Sequence, residues 1–393
     1  MRPIGCYKPG LPWEFGVQLI RRNRDLRVDF FRGAALWWIF IDHIPENPVA
    51  QLSLRNFAVC DSAELFVLLA GYAAGLAYGR ALDRSGYLFA AADVLKRAWT
   101  LYIAHIFLFV VFSAQVSYSA MALDRSAYLD ESRLDVLAYA PYRALFEALT
   151  LRFQPAYLDI LPMYIALLVL FAFALPLLRR PLLLAGLSCT LYVVARLGIN
   201  LPSWTGGGWY FNPLAWQVLF ILGSIFAYAP PKLPGRRVAW DILAAVVVVM
   251  GLLIQTVLWP HPEIVAQLPV FLARMLTGVD KQSLHPFRLM NMLALAWLVI
   301  RLVPKTARWL QSRWAGPFIL CGQHSLPVFC VGIFLSFLGR LVIESDPNWS
   351  GQALANIAGP LILLGIGAMT AWFREKARQP APKIARVSEA DVT

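Results

Sequence analysis

Residues 27–45 read RVDFFRGAALWWIFIDHIP, an apolar run of membrane length that carries an arginine and a histidine. Arg32 and His43 are eleven residues apart. At about 100° per residue, eleven steps end about 20° past three full turns, so both side chains share one helix face. At ~1.5 Å per residue they sit roughly 16 Å apart along the axis, about half of a ~30 Å hydrocarbon core. Ionisable groups inside a bilayer are expensive and normally functional. Two of them at two depths on one face suggest chemistry carried out partway across a membrane.

The rest of the chain repeats the membrane signal. Of 393 residues, 59% are hydrophobic and only 15% are charged. Ten apolar runs recur, at about 28–44, 62–79, 94–116, 158–178, 182–196, 213–229, 238–259, 286–303, 317–338 and 353–373. The expected fold is all-α, a polytopic integral membrane helical bundle with about ten transmembrane helices. No small-residue cleavage site follows the first run, so no cleavable leader is expected. With the N-terminus inside and alternating spans, 24 of the 35 Lys and Arg fall on the inner side, ten on the outer, and Arg32 within the first helix. That bias supports an N-in, C-in topology. It also accounts for the net charge of +12 through anionic lipid headgroups, with no nucleic acid partner.

The expected organisation is a basic cytoplasmic lead over 1–27, one membrane domain over 28–373 and a charged cytoplasmic tail over 374–393. Outer loops are expected at about 117–157, 197–212 and 260–286. The first should form short helices on the outer surface. Gly71, Gly75 and Gly79 recur every four residues in the second span, a face that lets another helix approach closely. The five cysteines, Cys6, Cys60, Cys189, Cys321 and Cys330, form no zinc pattern with histidine, and no metal is expected.

Each candidate residue has a functional and a plain reading. Asp29 can pair with Arg32 at the inner surface, which is equally the neutralisation of a snorkelling arginine. His43, just before Pro45, is a proton acceptor or a helix-end histidine bonding a free carbonyl. Asp61 and Glu64 have the spacing of a capping box; the alternative is that one of them orients His43 across the short 45–61 loop. Lys96 and Arg97 are inner-boundary anchors or a clamp for the phosphates of a nucleotide-bearing donor, with Tyr102 and His105 further along the same helix. Asp159 lies at the outer entry of the fourth span, and Gln323 and His324 lie in the ninth. Trp204, Trp209 and Tyr210 surround three glycines in the second outer loop, where aromatic rings stack on sugars or anchor at the interface. No P-loop, G-x-G-x-x-G, G-x-S-x-G or H-E-x-x-H competes.

RVDFFRGAALWWIFIDHI resembles the first helix of the type 3 membrane acyltransferases, an arginine, ten residues, then a histidine. AELFVLLAGY and KRAWTLYIAH resemble their next two motifs, with Ala70 where serine is usual and Thr100 where a second arginine is common. Within that group the chain is most similar to the OpgC family, through RDLRVDFFRG, FIDHIP, NFAVCDSAELFVLLAGY, QPAYLDILPMY, WYFNPLAWQVLF and GQHSLPVFC, spread over residues 24–338. His324 stands where that family is expected to have asparagine. The resemblance implies succinyl transfer from cytoplasmic succinyl-CoA, a co-substrate and not a tightly bound cofactor, to periplasmic glucans by a multi-pass protein of the bacterial inner membrane. His43 would be the general base, Arg32, Lys96 and Arg97, with Tyr102 and His105, would hold the donor, and the outer-loop aromatics, with Asp159, Gln323 and His324, would hold the acceptor. The alternatives are O-acetylation of another envelope polysaccharide, a transporter, and a non-catalytic subunit of a glucan-export complex.

Overall fold

The computed structural model describes residues 25–204, 206–230 and 237–377, and among these the regular elements are helices, with no strand. Most of the expected lead and most of the expected tail lie outside the described residues. In chain order the helices are α1 (Leu26–Asp42), α2 (Ser62–Ser85) and α3 (Tyr87–Ala122), then the short α4 (Ala127–Glu131), α5 (Val136–Tyr139) and α6 (Pro141–Leu149). They continue with α7 (Ile160–Ala174), α8 (Pro181–Arg196), α9 (Pro213–Tyr228), α10 (Arg237–Leu253), α11 (Pro262–Ala266) and α12 (Val270–Thr277). The last four are α13 (Pro286–Leu302), α14 (Gly316–Gln323), α15 (Ser325–Ser345) and α16 (Trp349–Lys376).

Six of these are long and apolar enough to cross a membrane: α2, α3, α7 with its tight extension to Arg179, α10 with its extension to Leu258, α15 and α16. The chain is therefore read as a multi-pass membrane protein. The other four expected runs fall on α1, α8, α9 and α13, which have 16 or 17 residues. At ~1.5 Å per residue such helices are about 24–26 Å long, short of a full hydrocarbon core.

Two boundaries differ from the sequence reading. The third helix begins at Tyr87 and runs 36 residues, past the apolar run at both ends. The ninth run is not one helix. It breaks at His324, whose φ of −119° and ψ of 40° separate α14 from α15. Pro327 explains the break: it has no N–H to offer the carbonyl four residues back, at Gln323.

Local chemistry sets the ends. Asp61 accepts from the Ala63 amide at 2.8 Å and the Glu64 carboxylate accepts from the Asp61 amide at 2.9 Å, so the capping box is real. Gly86, at φ 81°, turns the chain from α2 into α3 in a left-handed conformation.

Glycines bring the central helices together. A Cβ on Gly71 would lie 2.0 Å from the Phe220 carbonyl oxygen, and one on Gly75 2.3 Å from that of Ser224, so α2 packs backbone to backbone on α9. The α1–α14 crossing is as close. A Cβ on Gly33 would meet the Phe318 carbonyl oxygen at 1.9 Å, and one on Gly322 that of Asp29 at 1.8 Å. Trp216, Phe40, Phe112, Phe171 and Phe220 fill the buried centre.

Candidate functional site

Helix α1 carries both ends of the site. Arg32 Nη2 donates to the Leu69 carbonyl of α2 at 2.8 Å. His43 follows directly after the helix, its amide bonded to the Ile39 carbonyl at 3.2 Å. Both line cavities inside the bundle, and the cavities are separate.

The Arg32 cavity holds about 180 Å³ between α1, α2, α3, α7 and α15. Its cations are Arg32 and Arg97; Tyr78, Tyr164 and Ser325 add hydroxyls, and alanines 70, 73, 74 and 77 of α2 give it a narrow apolar wall. Along α2 it extends from Phe66 to Tyr78, roughly 18 Å. Arg97 lies within electrostatic reach of Tyr78 at the far end of that ruler.

The His43 cavity is small, about 10 Å³, with Tyr157, Phe112 and Arg340 in its wall. About one water would fill it. The Tyr157 ring meets the imidazole edge-on at 4.8 Å between centroids. His43 Nδ1 is buried and has no hydrogen-bond partner among the described residues. Buried polar atoms are almost always paired, so an orphaned ring nitrogen in a cavity marks a place for a ligand. Phe329 lines the first cavity and Ile333, one turn further along α15, lines the second. The Phe66 ring stacks on Phe329 at 6.3 Å.

An ionic cluster adjoins His43. Glu64 accepts from Arg288 Nε at 2.6 Å, and Asp61 from Arg288 Nη2 at 3.0 Å and Lys281 Nζ at 2.6 Å. Burial works to raise the Asp61 carboxyl, but Lys281 and Arg288 outweigh it and hold its pKa well below the usual carboxylate range. For Lys281 burial works downward, and Asp61 with Glu64 overcomes it, leaving the ammonium pKa raised. Lys281 also acts electrostatically on His43 and Asp159. The capping contacts of Asp61 and Glu64 are present. They cap α2 and bind two cations, and among the described residues neither is hydrogen-bonded to His43.

The aromatic loop makes a third cavity of about 250 Å³. Trp204, Trp209 and Tyr210 line it beside Arg133, Asp135 and Arg152. Trp209 is buried, its Nε1 donating to the Pro202 carbonyl at 3.2 Å, while Tyr210 is 41% exposed. Phe153 lines this cavity and Tyr157, four residues on, touches His43, so one short segment joins the two.

The remaining candidates separate. Lys96 is exposed on the outside of α3, away from the cavity that Arg97 lines. Tyr102 donates to the Leu149 carbonyl at the end of α6, at 3.0 Å. His105 is fully buried with neither ring nitrogen bonded, and it is in the wall of none of the three cavities. Gln323 and His324 were expected with the acceptor residues. Instead Gln323 donates to Asp29 at 3.2 Å, which puts both at the Arg32 end, three residues from Arg32 on α1. The physical reason is the α1–α14 crossing at Gly33 and Gly322. Among the described residues no group of His, Cys, Asp and Glu is arranged to hold a metal ion.

Four residues escaped the sequence reading: Lys281, Arg288, Arg340 and Tyr157. A signal existed for two of them. Arg288 and Arg340 are cations in apolar helices, at ends that the sequence reading expects to lie outside, against the positive-inside bias.

A family model described as OpgC protein matches residues 24–375. Neither a curated protein nor a solved structure matches the chain.

Proposed function

The chain belongs to the OpgC family, and from that premise we propose that it moves a succinyl group from cytoplasmic succinyl-CoA to hydroxyls of periplasmic glucans across the bacterial inner membrane. Membership implies acyltransferase activity, which is the coarser part of this reading. The observation that carries the finer part is the arrangement on α1, with Arg32 at one interior cavity and His43 at another.

The donor's phosphates meet Arg97 and Arg32, and its narrow pantetheine arm runs along the alanine wall of α2. Phe66 and Phe329 part to let the thioester reach His43. The glucan sits against Trp204, Trp209 and Tyr210 and presents one hydroxyl past Tyr157. Neutral His43 takes the hydroxyl proton as the oxygen attacks the thioester carbonyl. The carbon–sulfur bond breaks, the ester forms, and the coenzyme A thiolate takes up a proton as it leaves.

The test is incubation of purified protein with labelled succinyl-CoA and glucan, followed by mass spectrometry of the glucan. A succinyl ester is expected, and its absence would overturn the reading. One observation favours a second reading. The break at His324, beside buried charges, is the kind of interrupted helix that transporters use at a binding site. Glucan or ion uptake by proteoliposomes without ester formation would select transport.

A further inference from the structure

Arg340 and His43 line the same cavity from two helices. The register between α1 and α15 is fixed one turn earlier, where Ser336 Oγ donates to the Phe40 carbonyl at 3.1 Å. Next to Arg340, a Cβ on Gly339 would lie 2.7 Å from Ile44 Cδ1, so the helices stay in close contact up to His43. The rest of the wall is mostly apolar: Phe112, Ile333 and Phe337 line it with Tyr157 and with Ser336, whose hydroxyl is bonded to backbone carbonyls.

The guanidinium is held rigidly. Its Nε donates to Glu344 at 2.6 Å and its Nη1 to Glu131 at 2.5 Å, and its plane lies over the Tyr128 ring at 4.8 Å. Arg125 also pairs with Glu344, at 2.8 Å, so two arginines balance two carboxylates. Nη2 donates to none of the described residues. The side chain is only 11% exposed. A fixed, always-charged fork with one arm unused, at the end of an apolar slot that begins at the proposed base, fits a short chain ending in an anion.

We propose that Arg340 recognises a carboxylate at the far end of the transferred acyl group, so that the site takes dicarboxylic acyl donors over neutral ones of equal length. This rests on the reading of His43 as the base of an acyl transfer. The carboxylate is a spectator there: it is bound by Nη2, and no bond to Arg340 forms or breaks. The slot is closed to about one water in this conformation. Entry of the acyl group must turn one of the rings that line it, such as Phe112, which meets Tyr157 edge to face at 6.4 Å.

The experiment measures kcat/KM with succinyl-CoA and with butyryl-CoA, which has the same four carbons and no charge, for wild type, R340Q, R340K and E131Q. The wild type should prefer succinyl-CoA. In R340Q the succinyl-to-butyryl ratio should fall at least about tenfold, with butyryl transfer retained. R340K should keep part of the preference through its charge. E131Q disturbs the same network without removing the cation, and its ratio should stay near that of the wild type. An unchanged ratio in R340Q, or an equal fall in E131Q, would overturn the proposal, as would loss of both donors alike in R340Q. Wild-type protein that transfers butyryl but not succinyl groups would overturn this inference alone. Wild-type protein that transfers neither would overturn the underlying acyl-transfer reading with it.

Discussion

His43 sits where a helix runs out, near Lys281 and Asp61, which are already committed to one another. Its own Nδ1 has no partner among the described residues. His43→Ala is therefore expected to abolish ester formation with little effect on thermal unfolding in detergent, and retained turnover would remove the proposed base. Arg288 is the opposite kind of residue. It satisfies Glu64, which is fully buried, so Arg288→Met should destabilise the protein by about 3–5 kcal/mol, read from its unfolding transition. The same cluster predicts a pH response. Asp61 has a depressed folded pKa, so its contribution is complete above the unfolded value of about 4 and is lost as pH falls through the lower folded one. Thermal stability should show no Asp61 step between about pH 5 and 8, and Asp61→Asn should remove an acid-side loss seen in the wild type. Arg32 and His43 were legible in the sequence because an eleven-residue interval has one meaning on a helix. Lys281 and Tyr157 were not, because nothing local states that a loop residue folds back beside one more than 100 positions away.

At the level of elements, the glycine faces and caps were readable in advance. The four-residue glycine spacing of α2 describes its contact with α9, and Asp61 with Glu64 caps as its spacing requires. The break at His324 was missed because the apolar run continues straight through it and hides the one relevant letter, Pro327. The α1–α14 crossing, which brings Gln323 to Asp29, can be tested. Gly322→Ala puts a methyl group against the Asp29 backbone, where neither helix can yield cheaply. It should destabilise the fold by roughly 1–3 kcal/mol. By shifting α1 it should also raise the donor KM more than it lowers kcat. An unchanged unfolding temperature would show that the two helices tolerate separation.

For the whole molecule, the charge distribution gives the clearest expectation. If the N-terminus is inside, as the sequence leads one to expect, 24 of the 35 basic residues fall on the inner side, and the aromatic cavity should face outward and Lys96 inward. In a cysteine-free background, Tyr210→Cys should react with a membrane-impermeant maleimide in intact cells, and Lys96→Cys only after permeabilisation. The reverse pattern would invert the topology and, with it, the proposed direction of transfer. Finally, the two cavities on α1 do not merge: Phe329 closes one and Ile333, a turn away, bounds the other. A carrier arm threaded through that layer would plug the hole it makes. On the proposed transfer reading, each hand-over would thus leave the membrane sealed against ions and protons.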